Sequence, residues 1–302
     1  MNYVFLDLEW NNAFSKKYGR NINEIIEIGA VKLNEALCET DRFDVFVRSQ
    51  ITSRLGSRFK NLTHISNSEM KEGLPFDDAF NSFFEWCGND FLTVTWSNSD
   101  LYAIADNFKT FQNGFPTEHF GCYLDLQKFY QSVVTPNEKN QVALSTAAGS
   151  LQIPIDDVAF HRASDDSAVT AEIFRRINKS GNWENLVIDT RKPGFYERLT
   201  FKPYYITDVN SKYFKKSDFT FRCKRCRIKA KPTGEWTAKN NQLWNGFCCP
   251  RCGRCFVGRI RAKRGYDKTS IKKTAVYKQK NAEENGGQSA VGNAENTATA
   301  ES

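Results

Sequence analysis

The stretch Val4-Phe5-Leu6-Asp7-Leu8-Glu9-Trp10 places two carboxylates within an otherwise apolar run near the start of the chain. Such a run predicts a buried β-strand. Side chains alternate between the two faces of a strand, so Asp7 and Glu9 share one face. Two anions held side by side at an apolar surface repel each other and lose hydration, and a divalent cation would offset both costs. The stretch therefore predicts a strand that carries a metal site.

Three later residues complete a candidate catalytic site. Asp100 follows the apolar stretch 91–96, while His161 and Asp166 lie in His161-Arg-Ala-Ser-Asp-Asp166, which is typical of the start of a helix. Phosphodiester hydrolysis is served by two divalent ions ~3.5–4 Å apart, one on the attacking water and one on the leaving oxygen. Carboxylates are the preferred ligands of such ions. A histidine titrates near neutral pH and can accept the proton of the water.

The order of these motifs resembles the DEDDh 3′–5′ exonuclease superfamily, the DnaQ-like group, over about residues 1–178. Ile25-Ile-Glu-Ile-Gly-Ala-Val31 is similar to a family motif, and so is 59–66, where His64 stands in place of the usual Gly. Within the superfamily the chain looks most like the subgroup that trims RNA 3′ ends. The resemblance implies an RNase H-like core whose sheet bears the metals.

The resemblance also implies a role for each site residue. Asp7 would bridge two Mg²⁺ or Mn²⁺ ions, and Glu9 and Asp166 would complete the shell of the ion that holds the water. Asp100 would serve the second ion, directly or through water, and His161 would be the general base. The second of the family's motifs, which contains Asp100, often has a Gly and an acidic residue where this chain reads Trp96-Ser-Asn-Ser-Asp100. This departure leaves Asp106 as an alternative to Asp100.

Hydrophobic periodicity predicts an α/β fold with a mixed five-stranded sheet and flanking helices. The first three strands, near 3–8, 25–33 and 42–48, have short polar connections that suit an antiparallel meander. Two further strands are expected near 91–96 and 119–124. The expected helices lie near 76–87, from about 99, and near 126–132, 141–151 and 164–178.

Six of the nine cysteines fall between Cys223 and Cys255. They include two Cys-x2-Cys knuckles, Cys223 with Cys226 and Cys249 with Cys252, which together can supply tetrahedral sulfur ligation to one structural Zn²⁺. Cys248 and Cys255 flank the second knuckle and are possible replacement ligands. The spacing predicts a zinc ribbon.

Charge is distributed unevenly along the chain. Residues 1–200 hold 20 Lys and Arg against 27 Asp and Glu, whereas residues 201–265 hold 17 against 3. A basic block of this kind favours a polyanionic partner, here the 3′ end of a single-stranded nucleic acid. The aromatic residues around the knuckles either stack on unpaired bases or fill the core of the ribbon; they are Phe219, Phe221, Trp236, Trp244, Phe247 and Phe256.

We therefore expect an exonuclease domain at 1–183, an unassigned connector at 184–218, a basic zinc ribbon at 219–265 and a disordered tail at 266–302. No apolar run approaches membrane-spanning length, and no basic segment followed by an apolar one marks a leader. The sequence thus predicts a soluble, cytoplasmic protein without a membrane partner.

The function expected from these features is metal-dependent 3′–5′ exonuclease activity on single-stranded ends. It would release 5′-mononucleotides, with RNA slightly favoured over DNA. An alternative is a nucleic-acid-binding adaptor, in which the nuclease fold is inactive and the zinc ribbon binds. A third possibility is that the ribbon docks a protein partner.

Overall fold

A computed structural model describes residues 1–154 and 162–277, with Arg58 described by its backbone alone. The chain divides into two compact units, Met1–Phe201 and a second unit that begins at Lys202. Each unit has its own sheet. Among the described residues, no helix is both long enough and apolar enough to span a bilayer.

The first unit is built on a six-stranded mixed sheet with the order β3-β2-β1-β4-β5-β6. The strands β1, β2 and β3 form the predicted antiparallel meander, β1, β4 and β5 are parallel, and β6 is antiparallel to β5. Their bounds are Asn2–Ser15, Arg20–Leu33, Glu39–Phe46, Phe91–Thr95, Cys122–Asp125 and Ile188–Asp189.

Helices cover both faces of this sheet. The helices α1 to α8 span Ser57–Thr63, Asn67–Glu72, Phe76–Cys87, Ser99–Phe111, Leu126–Val133, Leu144–Ser150, Ala163–Ile177 and Phe195–Thr200. One core lies under α5, α6 and α7 and contains Phe5, and a second core lies under α3 and α4 and contains Val4 and Leu6. The alternation along β1 thus separates the two cores, and the predicted α/β class with flanking helices is confirmed.

Two features of this sheet were not predicted. A sixth strand, β6, comes from the segment that the sequence left as an unassigned connector, and its two residues are too few to give a periodic signal. The hairpin of β1 and β2 also extends well beyond the predicted strands, through polar residues that carry no apolar alternation. Its far end is held by α4, because Arg20 donates to both oxygens of Asp106 at 3.0 and 3.1 Å.

The second unit contains a six-stranded sheet in which β11 is central. Its strands β7 to β12 span Tyr204–Ile206, Lys231–Pro232, Thr237–Lys239, Gln242–Cys248, Cys255–Arg264 and Thr269–Val276. Its core consists of Phe221, Ala230, Leu243, Phe247, Phe256 and Ile260.

The expected boundaries of this second unit need correction at both ends. The connector 184–218 is shared between the units: β6 and α8 belong to the first, whereas β7 pairs with β11 in the second. Residues 269–276, expected to lie in a disordered tail, form β12 and pair with most of β11. β12 has four exposed positions in a row, so its sequence lacks the alternation of apolar and polar residues that would have predicted a strand. The remainder of the expected tail, 278–302, lies outside the described residues.

The amino-terminal end of α7 lies directly on β2 at Gly29. A Cβ atom built at Gly29 would lie 2.1 Å from the backbone nitrogen of Ser164 and 2.2 Å from the carbonyl carbon of Ala163. Only a residue without a side chain allows this approach of helix to strand. The glycine of the Ile-Glu-Ile-Gly segment thus fixes where α7 begins over the sheet.

We predict that Gly29→Ala lowers the free energy of unfolding by about 1–3 kcal/mol, because backbone atoms of α7 must move to admit the methyl group. Gly149→Ala is the matched control, since its Cβ would meet nothing within 4 Å. That helical position should instead gain about 0.5–1 kcal/mol. Urea denaturation measures both changes, and an equal response of the two variants would contradict the close contact at Gly29.

Candidate active site and zinc centre

Asp7 and Glu9 continue the face of β1 that Tyr3 and Phe5 begin. Tyr3 and Phe5 pack on Phe174 of α7 with ring centroids 5.5 Å apart. Two and four residues after Phe5, the same face reaches the start of the helix, and there it carries carboxylates, both half-buried. The apolar half of the face thus secures α7, and its polar half meets the helix start.

Asp166 comes to this place from the first turn of α7. It is 8% exposed. Ligand oxygens of Asp7, Glu9 and Asp166 all lie within 4.8 Å of one another. Asp166 is 157 or more positions from the other two in the sequence, yet all three are within reach of a single ion.

Asp100 borders this group without belonging to it. It lies in the first turn of α4, directly after the loop that follows β4, and is 4% exposed. The backbone of Leu8, the residue between Asp7 and Glu9, lies close enough to this carboxylate to lower its pKa, against the larger effect of burial. Pairing between β1 and β4 ends at Phe5. The fourth carboxylate thus approaches the part of β1 that follows this residue and carries Asp7 and Glu9.

Neighbouring carboxylates, with Asp166 among them, raise the pKa values of Asp7, Glu9 and Asp100. Burial, and after it the charges of Asp100, Asp166 and Glu9, hold the pKa of Asp7 well above its usual range. Burial and neighbouring carboxylates raise the pKa of Glu9 to about 8. Burial also raises the pKa of Asp100 to about 7, and Asp166 adds to that shift. An all-oxygen donor set under mutual repulsion fits a hard divalent cation, which would offset the accumulated charge.

Glu27 is a buried acid that the sequence reasoning did not single out. It pairs with Glu9 across β1 and β2 and is 0% exposed. Arg162, immediately before α7, donates to one Glu27 oxygen at 2.7 and 2.9 Å, and the N–H of Ala163 approaches the other at 3.4 Å. Burial raises the pKa of Glu27 to about 7 although Arg162 acts against that shift. The sequence did contain a sign of this residue's importance, because Glu27 is a charged residue inside an apolar strand.

The other candidate residues lie elsewhere. Asp106, the alternative to Asp100, is paired with Arg20 at 3.0 Å, whereas the charge of Asp100 acts on Asp7, so the structure favours Asp100 for that role. His64 ends α1 in the left-handed region with φ 57°, a conformation that glycine adopts most easily. His119 stacks on Phe84 at 4.2 Å. His161 lies outside the described residues.

The two Cys-x2-Cys knuckles have the same backbone form. In each, the first cysteine's carbonyl accepts the N–H of the residue after the second cysteine, at 2.7 Å from Arg227 and 3.0 Å from Gly253. Both of those residues have positive φ, 58° and 65°. Sulfur atoms of Cys223, Cys226, Cys249 and Cys252 all lie within 4.8 Å of one another. Four converging thiols with no open position suit a structural zinc ion.

Cys248 and Cys255 are bonded to each other and do not join this group. They stand directly opposite on β10 and β11, which brings their side chains together. The possibility that either replaces a zinc ligand is therefore wrong for this structure.

A family model described as Exonuclease (RNase_T) matches residues 4–174. The chain belongs to this exonuclease family. A probable 3′-5′ exonuclease, KapD from Bacillus subtilis, is 25% identical over 179 residues, which is 58% of this chain and 84% of that protein. A PolC-type DNA polymerase III from Staphylococcus saprophyticus is 25% identical over 177 residues, 59% of this chain but 11% of the polymerase.

Solved structures show the same fold. The nuclease domain of 3′hExo, described as a DEDDh family member bound to rAMP, has a TM-score of 0.52 and 21% identity, and it covers 60% of this chain and 92% of that one. A 3′-exonuclease that recognises a histone mRNA stem-loop has a TM-score of 0.52 and 19% identity, covering 60% and 82%. The predicted RNase H-like exonuclease fold is confirmed.

We predict that Cys223→Ser abolishes stoichiometric zinc in the purified protein and unfolds the second unit, because metal binding supplies folding free energy to small sites of this kind. Cys255→Ser is the control, since it removes a sulfur beside the site but no converging ligand. Elemental analysis and circular dichroism measure both effects. Loss of zinc from Cys255→Ser, or full zinc in Cys223→Ser, would contradict the ligand set.

Proposed function

We propose that this protein is a metal-dependent 3′–5′ exonuclease that releases 5′-mononucleotides from single-stranded 3′ ends. The observation that carries the proposal is the convergence of Asp7, Glu9 and Asp166 within 4.8 Å on a fold of the exonuclease family. The similarity to KapD, a probable 3′-5′ exonuclease, and to the two solved 3′-exonucleases supports the same polarity.

Asp7, Glu9, Asp166 and Asp100 would hold two Mg²⁺ or Mn²⁺ ions. Such ions, when bound, make water nucleophilic at neutral pH and stabilise the leaving oxygen. His161 would take the proton of that water, since it directly precedes Arg162, whose contact with Glu27 fixes the start of α7. Glu27 and Arg162 act in this proposal as positioning residues, because they hold the segment that follows the base.

The proposal favours RNA over DNA as substrate. The two solved 3′-exonucleases are described with a histone mRNA stem-loop and with rAMP. Selection of RNA would depend on contacts to the 2′-hydroxyl, which distinguishes the two polymers. DNA is the competing substrate, and matched oligonucleotides separate the two.

The second unit would bind one structural Zn²⁺ through Cys223, Cys226, Cys249 and Cys252 and would hold the substrate. Its described residues, 202–277, carry 20 Lys and Arg against 4 Asp and Glu, whereas residues 1–200 have an acidic excess. A polyanion is attracted by the basic residues 202–277 and repelled by the acidic residues 1–200. A cytoplasmic location belongs to the same proposal, because the four thiols of the zinc group are reduced; the bonded pair Cys248–Cys255 is the feature that argues against that compartment.

The test is digestion of matched RNA and DNA oligonucleotides, labelled at the 5′ end, with Mg²⁺ or Mn²⁺ and analysis of the products. Wild-type protein should shorten the labelled strand stepwise from the 3′ end and release mononucleotides. Asp166→Asn and His161→Ala should each lower kcat by about 10²-fold or more, since one removes a metal ligand and the other the base.

Asp165→Asn is the matched control for this experiment. It removes the same charge one position away on the same helix, from a residue outside the carboxylate group. Its rate should stay near that of the wild type. Wild-type protein that binds the oligonucleotides but leaves them intact with either metal would refute the exonuclease and favour the adaptor. A wild-type rate for Asp166→Asn would remove that residue from the site.

A further inference from the structure

Strand β11 of the second unit buries one face in the core and carries basic residues on the other. Phe256, Ile260 and Ala262 are buried, while the alternate residues Arg261 and Lys263 are exposed. Arg259, two positions before Arg261, shares their face. Three successive positions on the same face of the central strand therefore carry positive charge.

Neighbouring strands extend this row. In the register of the sheet, Arg261 stands opposite Lys272 of β12, Lys263 stands opposite Tyr205 of β7, and Arg259 stands opposite Trp244 of β10. We call these six residues the cationic face: Tyr205, Trp244, Arg259, Arg261, Lys263 and Lys272. Like charges directly opposite each other on antiparallel strands destabilise a sheet. An anionic ligand across Arg261 and Lys272 would remove that repulsion.

The aromatic residues of the cationic face are stacked against its cations. The Arg259 guanidinium lies 3.8 Å from the centre of the Trp244 ring, and the Arg261 guanidinium lies 4.9 Å from that of Tyr205. The indole is fixed, because Trp244 Nε1 donates to the carbonyl of Lys239 at 3.1 Å. Unpaired bases stack on aromatic rings and on guanidinium planes, while cations contact the phosphates. Both kinds of group are present here side by side.

The opposite side of the same sheet is used differently. Phe221, Phe247 and Phe256 are buried in the core, with Phe219 and Trp236 packed against them. Of the six aromatic residues that the sequence left between base stacking and core filling, five are thus core residues and Trp244 alone lies on the cationic face. Lys273 also belongs to the core side, since its ammonium group donates to the carbonyls of Ser217 and Thr220.

We propose that the cationic face is the surface on which the second unit binds single-stranded nucleic acid. The proposal deepens the proposed function by naming where the strand is held, and it rests on that function for the identity of the strand as substrate. Stacked aromatic groups favour a single strand over a duplex, because the faces of paired bases are already covered. An acidic peptide would match the charges but would gain little from the rings.

The test is fluorescence anisotropy of the full-length protein with a labelled single strand longer than the ~4–16 nucleotides of common single-strand sites. Binding is measured over a range of salt concentrations without added divalent cation, so that cleavage does not intervene. Arg261→Gln with Lys263→Gln should reduce the slope of log affinity against log salt by about 1.4, since each phosphate contact on a single strand contributes about 0.7.

Lys212→Gln with Lys216→Gln is the matched control. It removes the same two charges from exposed positions of the second unit that precede the zinc knuckles and lie outside its sheet. Its salt slope should stay at the wild-type value. Equal losses from both pairs would mean that general charge, not this face, drives binding, and would overturn the proposal.

Trp244→Ala should weaken single-strand binding by about tenfold, and Trp244→Phe should restore most of it, because a ring is retained. Zinc content checks that each variant is folded. Equal wild-type affinity for duplex and single strand, or tighter binding of an acidic peptide of the same charge, would overturn the assignment. Protein that binds in the predicted way but never hydrolyses would refute the exonuclease and leave this surface standing.

Discussion

Electrostatic repulsion among the carboxylates at one end of β1 is the constraint on which the rest of the structure depends. Asp7, Glu9 and Asp166 are held within 4.8 Å, and Asp100 adds its charge from α4. Such a group assembles only if other contacts impose it. The packing of Phe174 on Phe5 fixes the last turn of α7, and the contact at Gly29 fixes its start. Packing contacts elsewhere in the first unit thus offset the repulsion among these carboxylates.

The parts of this arrangement that follow from short-range rules were predictable. A period of two placed Asp7 and Glu9 on one face, and apolar spacing located α3 and α7 to within a residue or two. Long-range choices were not. Nothing in the sequence shows that Glu27 meets Arg162, 135 positions away, or that Asp106 serves the hairpin through Arg20. The strand β12 was missed because four consecutive positions are exposed, and the pairing of Cys248 with Cys255 depends on the register of β10 and β11.

The two units divide the requirements of a polyanion-cleaving enzyme. The first unit, with 27 Asp and Glu against 20 Lys and Arg over 1–200, carries an acidic excess that repels a phosphate backbone. The second unit, with 20 Lys and Arg against 4 Asp and Glu over 202–277, supplies the opposite field. Within it, sheet alternation places Phe247 and Phe256 in the core and Arg259, Arg261 and Lys263 on the opposite face, together with Trp244. If the four cysteines bind zinc as proposed, the metal would contribute to the stability of this small unit, in addition to its core.

Thermal unfolding of wild-type protein and Asp7→Asn at about pH 8, first without added divalent cation and then with excess Mn²⁺, shows whether these carboxylates bind a metal. Without the cation, Asp7→Asn should be at least as stable as the wild type, because the amide carries no charge. Negative charge is disfavoured in this group, where burial and neighbouring carboxylates raise the pKa of Glu9 to about 8. With Mn²⁺ the order should reverse, since an ion at 100 times its Kd stabilises the wild type by about 2.7 kcal/mol. Asp165→Asn should follow the wild type throughout. If Asp7→Asn is less stable without the cation, or if Mn²⁺ stabilises both proteins equally, the carboxylates are not a metal site.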